Sequence, residues 1–572
     1  MTQPTIQQSF DLALQQHQAG RLQQAEQIYR HILAHQPEHV GALHYLGVLA
    51  YQQGQNDIAI DLIRKAIALS PNLPEAHNNL GLALTANGQL GDAIAAYRTA
   101  LALRPDYASA LFNLGIALQY NGQLDDAIAS YRKSVALLPN YVEALTNLGN
   151  ALRDRGQIEE AGEVCRQAIA MRPDYAKARS ALGNVFNEMG RFDDAIAAHR
   201  EAIALDPRLP ETHNNLGIAL KNQRRTDQAI AAFEQAIALD PDYASAHTNL
   251  SMALLARGDF LRGWKEHEWR WKCEDTPSKP RGFSQPQWDG SPLEDRTLLL
   301  HAEQGFGDSM QFIRYASLLA DRGQKIIIEC QSELVRLFKS LSGGFRIVEQ
   351  RQPLPDFDLH CPLLNLPSVF KTTIESIPAD VPYLFPDQEL LEIWRQKLAD
   401  RSTGLKIALT WAGSPDFKGD RTRSLALDRL APLANVPGVT FYCIQKGDAQ
   451  RQINHAPAGL RLINLSPELH DFADTAAVIC NMDLTISTDT SVAHLAGALG
   501  RPVWVMLQFV PDWRWMFDDP SSFQKSPQMS PQKSPWYPSM RLFRQATWGD
   551  WNGVISEVAK ALGRPRCELG LG

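Results

Sequence analysis

The chain contains no run of about 18 consecutive apolar residues, which excludes a hydrophobic transmembrane helix. Its seven cysteines (Cys165, Cys273, Cys330, Cys361, Cys443, Cys480 and Cys567) stand singly, with no CxxC pair. Neither a disulfide frame nor a zinc site is therefore expected. A basic surplus is also missing: 56 Lys+Arg face 63 Asp+Glu, for a formal charge of −7. That balance excludes a nucleic-acid binder working by bulk charge. The Gln-rich start, Met1–Gly20, lacks the basic and apolar segments of a secretory signal, so a cytoplasmic location is expected. What remains is an ordinary globular composition, 44% apolar and 21% charged, over 572 residues. At about 100–200 residues per domain, that length calls for several domains.

The first half is periodic. Prolines stand at 37, 71, 105, 139, 173, 207 and 241, and alanines at 25, 59, 93, 127, 161, 195 and 229. Leu-Gly pairs at 46, 80, 114, 148, 182 and 216 keep the same 34-residue step. Within one repeat, Ala76, Leu80 and Leu84 form the apolar stripe of a first helix starting near Glu75. Gly81 admits a close second helix, and Ala93 is that helix's small contact residue. Gly88 ends the first helix, and Pro105 stops the second. This pattern resembles the tetratricopeptide repeat, which implies a superhelix of helix pairs. The frame spans 6–272, with seven full repeats and a capping eighth from 244, where Ser251 and Gly263 replace the expected Gly and Ala.

One column of the repeat does not serve the core. Before each Leu-Gly pair or its equivalent stand Tyr45, Asn79, Asn113, Asn147, Ala181, Asn215 and Asn249. An amide both donates and accepts, so Asn79, Asn113, Asn147, Asn215 and Asn249 can grip an extended peptide backbone without reading its side chains. They can equally satisfy hydrogen bonds within the helices, and both readings stand. The protein O-linked N-acetylglucosamine transferases have a similar layout and a similar Asn column on a concave face. That resemblance implies a protein or peptide partner.

Beyond the polar connector at 273–292 the period changes. Strands are expected at Thr297–His301, Lys325–Glu329, Phe345–Val348 and Phe357–His360, with helices at Ser309–Asp321 and Ser332–Leu341. A linker helix, Glu389–Leu398, leads to further strands at Leu405–Trp411, Val439–Ile444, Leu460–Ile463, Asp483–Thr485 and Pro502–Met506. Alternation of strand and helix means parallel sheets, and two series mean two Rossmann-like lobes. The expected division is 293–388 for the first lobe, 389–400 for the linker and 401–565 for a donor-binding second lobe. Residues 521–535 repeat Gln-Lys-Ser-Pro and read as a flexible surface insertion.

Three motifs stand at strand ends, where parallel α/β sheets bind ligands. Glu303–Asp308 (EQGFGD) follows the first strand; Gly305 and Gly307 allow a tight turn with exposed N–H groups. Asp308 is either the N-cap of the next helix or an anion held there for chemistry. Trp411 and Gly413 open a turn followed by Lys418, Arg421 and Arg423, either a diphosphate seat or a solvated basic loop. Gln445 and Lys446 can add donors from the side. The third, Asp489–Pro502 (DTSVAHLAGALGRP), offers the Thr490 and Ser491 hydroxyls and a helix N-terminus to a phosphate. His494 is either a donor to the ligand or a satisfied core histidine.

GxGD together with DTSVAHLAGALGRPV resembles glycosyltransferase family 9, the heptosyltransferase family. The chain from about Trp264 to Leu562 further resembles bacterial tetratricopeptide proteins with a transferase-like half. Blocks similar to Trp269-Arg270-Trp271, PDWRW and SPWYPSMRLFRQ recur in those proteins. The resemblance implies a GT-B unit with no metal and no cofactor beyond a nucleotide-sugar donor substrate. Asp308 is then the base, and Asp489, Thr490, Ser491 and His494 the donor-phosphate motif. The expected function is sugar transfer to a protein recruited by the repeats. The alternatives are a scaffold with a degenerate transferase half, or transfer to a glycan or lipid-linked acceptor.

Overall fold

The structure is a computed structural model describing residues 5–273, 279–320, 325–399, 404–416, 419–516 and 532–569. It divides into two compact units, Met1–Ala219 and Leu220–Gly572, so the boundary lies inside the helix Pro210–Asn222. The N-terminal part is a tetratricopeptide superhelix of paired helices, such as Pro74–Ala86 with Leu90–Leu103. Each alanine of the 34-residue column, from Ala25 to Ala229, is fully buried. Helix pairing depends on the adjacent glycine: a Cβ at Gly81 would lie 2.5 Å from the Tyr97 ring. The first helix of each pair ends in a left-handed residue, Gly88 at φ +74 in this example.

The last repeat helices, Ala244–Arg257 and Phe260–His267, belong to the same unit as the α/β half. Ser251 donates its hydroxyl to the Gly263 carbonyl at 2.9 Å, and a Cβ at Gly263 would meet Leu255 at 2.7 Å. The two departures from the repeat are therefore one exchange, in which a hydroxyl enters where a methyl leaves.

Ten strands form two parallel sheets among the described residues. They are β1 Thr297–His301, β2 Lys325–Cys330, β3 Arg346–Glu349, β4 Leu359–Pro362, β5 Leu405–Leu409, β6 Val439–Cys443, β7 Leu462–Asn464, β8 Leu484–Thr488, β9 Val503–Leu507 and β10 Met540–Arg544. The first sheet has the order β3-β2-β1-β4 and the second β10-β9-β8-β5-β6-β7. Helices cover both faces, so β8 and β9 are buried end to end. Strand β10 was not among the expected strands. Its Met-Arg-Leu-Phe-Arg run carries two charges, as a sheet-edge strand can.

The helix expected at Ser309–Asp321 starts three residues earlier, inside the glycine motif, and breaks into Phe306–Phe312 and Arg314–Ala320. Residues 521–531 of the expected insertion lie outside the described residues. Its last four residues are anchored rather than free. The Gln532 carbonyl accepts the Leu542 N–H at 2.9 Å, Lys533 bridges Arg541, and Ser534 is buried. No helix among the described residues is long and apolar enough to cross a membrane.

Candidate active site

The loop after β1 leads into the helix Phe306–Phe312, capped by Gly305. Asp308 is therefore not the N-cap; it stands one turn in, and its Oδ2 accepts the Gly305 N–H at 3.0 Å. That bond closes the loop onto the helix start, where a carboxylate is favoured by the dipole. Gln331, at the end of β2, donates to the Gln304 carbonyl at 2.7 Å and accepts the Ser309 hydroxyl at 3.0 Å. Behind the loop, Glu303 is held by Arg270 of the Trp-Arg-Trp block at 2.9 and 3.1 Å. Both side chains are only 3% exposed, and burial pushes the Glu303 carboxyl up to about 7 despite that partner.

The second lobe brings the helix Ser491–Ala498, which follows β8, against this loop. A Cβ at Gly307 would lie 2.9 Å from His494 Cδ2, so glycine is required by the close approach of the two lobes. The His494 Nδ1 is 3.0 Å from the Tyr537 hydroxyl, and its ring centroid is 5.2 Å from that of Trp515. Burial holds the imidazole well below its ordinary range, hence neutral. His494 thus has a satisfied position in the core of the interface. Thr490 and Asp489 are nearly buried, and the Thr490 hydroxyl lies 2.9 Å from that of Ser487. Burial, aided by the Asp512 carboxylate, pushes Asp489 up to about 6.

The residue that joins the lobes is Arg514 of the PDWRW block, which the sequence does not single out. Its guanidinium binds Asp308 Oδ1, Asp512 Oδ1 at 2.8 Å and Gln311 Oε1 at 2.6 Å. It also lies 4.5 Å over the Trp513 ring. Burial raises the Asp308 pKa, while the Arg514 charge opposes that rise. Its position is the signal: PDWRW follows β9, another strand end of the second lobe. The aromatic residues Trp513, Trp515, Trp536 and Tyr537 are themselves buried packing groups.

Several of the expected donor-binding residues have partners within the second lobe. Trp411 is fully buried in the core of the second lobe. Gln445 accepts the Trp411 and Ala412 N–H groups at 3.0 Å and donates to the Ala412 and Lys446 carbonyls. The Lys446 Nζ binds the Ser466 and Leu469 carbonyls at 3.0 and 2.7 Å. These contacts tie Trp411, Gln445 and Lys446 into the second lobe. Arg423 pairs with Asp420 at 3.1 Å, and a Cβ at Gly413 would meet that Arg423 guanidinium at 2.5 Å. Its charge opposes the upward shifts of Asp308 and Asp489 and adds to the downward shift of His494. Arg421 is exposed, Ser491 half-buried at its helix start, and Lys418 lies outside the described residues.

The asparagine column is partly a ladder between repeats. Asn79 Nδ2 lies 2.9 Å from His44 Nε2, and Asn113 Nδ2 donates to Asn78 Oδ1 at 3.0 Å. Asn215 Nδ2 donates to Ser180 at 3.4 Å, Asn147 reaches the Tyr131 hydroxyl, and Asn249 is likewise engaged. All five remain half-buried.

Family comparison agrees with these two parts. TPR repeat and tetratricopeptide repeat profiles match residues 47–88, 81–122, 112–176, 183–223 and 210–243. Glycosyltransferase family 9 (heptosyltransferase) matches residues 429–505, which contain β6 to β8, the start of β9 and the Asp489–His494 motif. The chain therefore carries tetratricopeptide repeats in its N-terminal part and a glycosyltransferase family 9 domain in its C-terminal part. A curated relative, Protein FlbA of Caulobacter vibrioides, is 27% identical over 336 residues, 54% of this chain and 53% of that protein. The chain thus spans about half the length of that relative. Among solved structures, a tetratricopeptide repeat protein from Parabacteroides merdae is 17% identical, with a TM-score of 0.39 over 44% of this chain and 98% of its own. The APC/C hetero-tetramer Cut9-Hcn1 is 19% identical, with a TM-score of 0.37 over 46% of this chain and 52% of that one.

Proposed function

We propose that the protein is a glycosyltransferase moving a sugar from a nucleotide-sugar donor to a protein acceptor recruited by its repeats. One observation carries this reading: Asp308 of the first lobe and Arg514 of the second meet directly, beside the family 9 motif at Asp489–His494. In the reaction, the acceptor oxygen bonds to the anomeric carbon as the bond from that carbon to the diphosphate oxygen breaks. Asp308 takes the acceptor's proton, and the nucleoside diphosphate leaves. Arg514, Arg423 and the helix start at Thr490-Ser491 stabilise the charge of the leaving group, the task a metal performs in other transferases.

The repeats supply the acceptor. With their Nδ2 groups tied to the preceding repeat, Asn113 and Asn215 keep Oδ1 oriented as an acceptor for a peptide N–H. Incubating the full chain with a panel of nucleotide sugars and a lysate tests the whole reading. Release of nucleoside diphosphate with a sugar mass added to protein is the expected result; a product confined to glycan or lipid fractions favours the alternative acceptor.

A further inference from the structure

The column of left-handed turns in the repeats has one outlier. At positions 20, 54, 88, 122, 156, 190 and 258 the residue is glycine, with φ between +73 and +88; at 224 it is Arg, with φ +61. A side chain there strains the backbone, and glycine serves at the seven equivalent turns. The guanidinium gives the reason. Arg224 Nε and Nη2 donate to the Phe509 carbonyl at 3.0 and 2.7 Å, and Nη2 also donates to the Gln545 carbonyl at 3.1 Å. The group lies 3.9 Å over the Phe509 ring.

Phe509 and Gln545 stand just beyond the ends of β9 and β10, and Gln545 Oε1 accepts the Phe509 N–H at 3.2 Å, so one guanidinium grips both strand ends. From there the chain runs through Asp512 to Arg514. Its far end is held by Arg544, which donates to the Met516 carbonyl at 2.9 Å and to the Trp515 carbonyl. Between the two arginines, Trp513 is wedged against Trp264 of the last repeat and Trp536 of the second lobe, with centroids 5.1 and 6.0 Å apart.

We infer that Arg224 is a positioning residue for the catalytic pair: a strained turn in a repeat clamps the start of segment 509–516 and so holds Arg514 against Asp308. Its activity consequence rests on the transfer reaction proposed above; its structural consequence does not. Strain kept at a functional position is held in place by the contacts it makes possible.

Arg224→Gly separates the clamp from the turn, because it restores the residue that the other repeats use. In hydrogen-exchange mass spectrometry of the full chain, the amides of 509–516 are expected to exchange at least about tenfold faster, the effect of losing one charge-assisted hydrogen bond. The remaining repeat helices should keep their protection. Where a donor is turned over, kcat should fall about tenfold with little change in the donor KM. Unchanged exchange across 509–516 overturns the inference. Exchange needs no donor, so a wild-type protein without turnover refutes the transfer reading alone. Should Arg224→Gly not fold, Arg224→Asn, which tolerates the left-handed turn and is too short to reach the Phe509 and Gln545 carbonyls, is read by the same criterion.

Discussion

Asp308 and Arg514, 206 positions apart in the chain, form an ion pair between the first helix of one lobe and the loop beyond β9 of the other. The pair is largely sheltered, with side-chain exposures of 19% and 11%. Its two members have opposite tasks in the proposed reaction: one receives a proton, the other meets negative charge on the leaving group. In the structure Arg514 is shared between Asp308 and Asp512, and the proposed reaction has arrival of a diphosphate at Arg514 release Asp308 to act as a base.

Asp308→Asn keeps the shape and the Gly305 bond but removes the base. Transfer is expected to fall by about 10²–10⁴-fold, the usual share of general-base catalysis, with donor binding retained. Single-turnover kinetics alongside calorimetric titration of the donor check both halves.

Arg514→Met removes the cation and leaves Asp308 and Asp512 in a sheltered site without it. Breaking such a pair costs about 3–5 kcal/mol, so thermal unfolding should shift down. Asp308→Asn/Arg514→Met should recover part of that loss, because one of the stranded charges is gone. A double-mutant cycle on unfolding free energies measures the coupling.

The Asp489 carboxyl, raised to about 6 by burial, sets a pH dependence. A raised carboxyl contributes stability that is present below its unfolded pKa and lost as pH rises through about 6. Asp489→Asn should therefore stabilise the protein at pH 7.5 more than at pH 5. Acidification through the same window removes a negative charge beside the proposed diphosphate seat, so donor affinity should rise in the wild type and stay flat in Asp489→Asn. Titrations at pH 5.5 and 7.5 decide this.

Gly81→Ala places a methyl 2.5 Å from the buried Tyr97 ring. Overpacking of this kind costs about 1–3 kcal/mol, visible as a lower thermal midpoint of the repeats. Transferase turnover on a small acceptor should be unaffected, because this residue lies in the unit ending at Ala219.

The fold was largely legible because its determinants are local and repeated. The proline, alanine and Leu-Gly registers are sequence facts, and each maps to a turn, a buried contact or a helix crossing. Strand boundaries in the second half emerged within a few residues, since buried parallel strands are continuous apolar runs. The edge strand β10 escaped because its two arginines break such a run. The site was half legible. Asp308, Gly307, Asp489 and His494 stand where the strand-end rule puts them, and the ten-residue approach of Arg423 to Gly413 is local. Arg514 was not, because its meaning depends on a partner 206 positions away. The main-chain partners of Gln445 and Lys446 were not legible for the same reason: they lie on segments that only the fold brings to these strand ends.

The measurement that bears most directly on sugar transfer at the interlobe pair is nucleoside diphosphate release by the full chain, compared between wild type and Asp308→Asn across a panel of nucleotide sugars. The expected result is release with at least one donor by the wild type and its loss in a folded Asp308→Asn that still binds that donor. Equal release by both proteins, or no binding of any nucleotide sugar by the folded wild type, contradicts it.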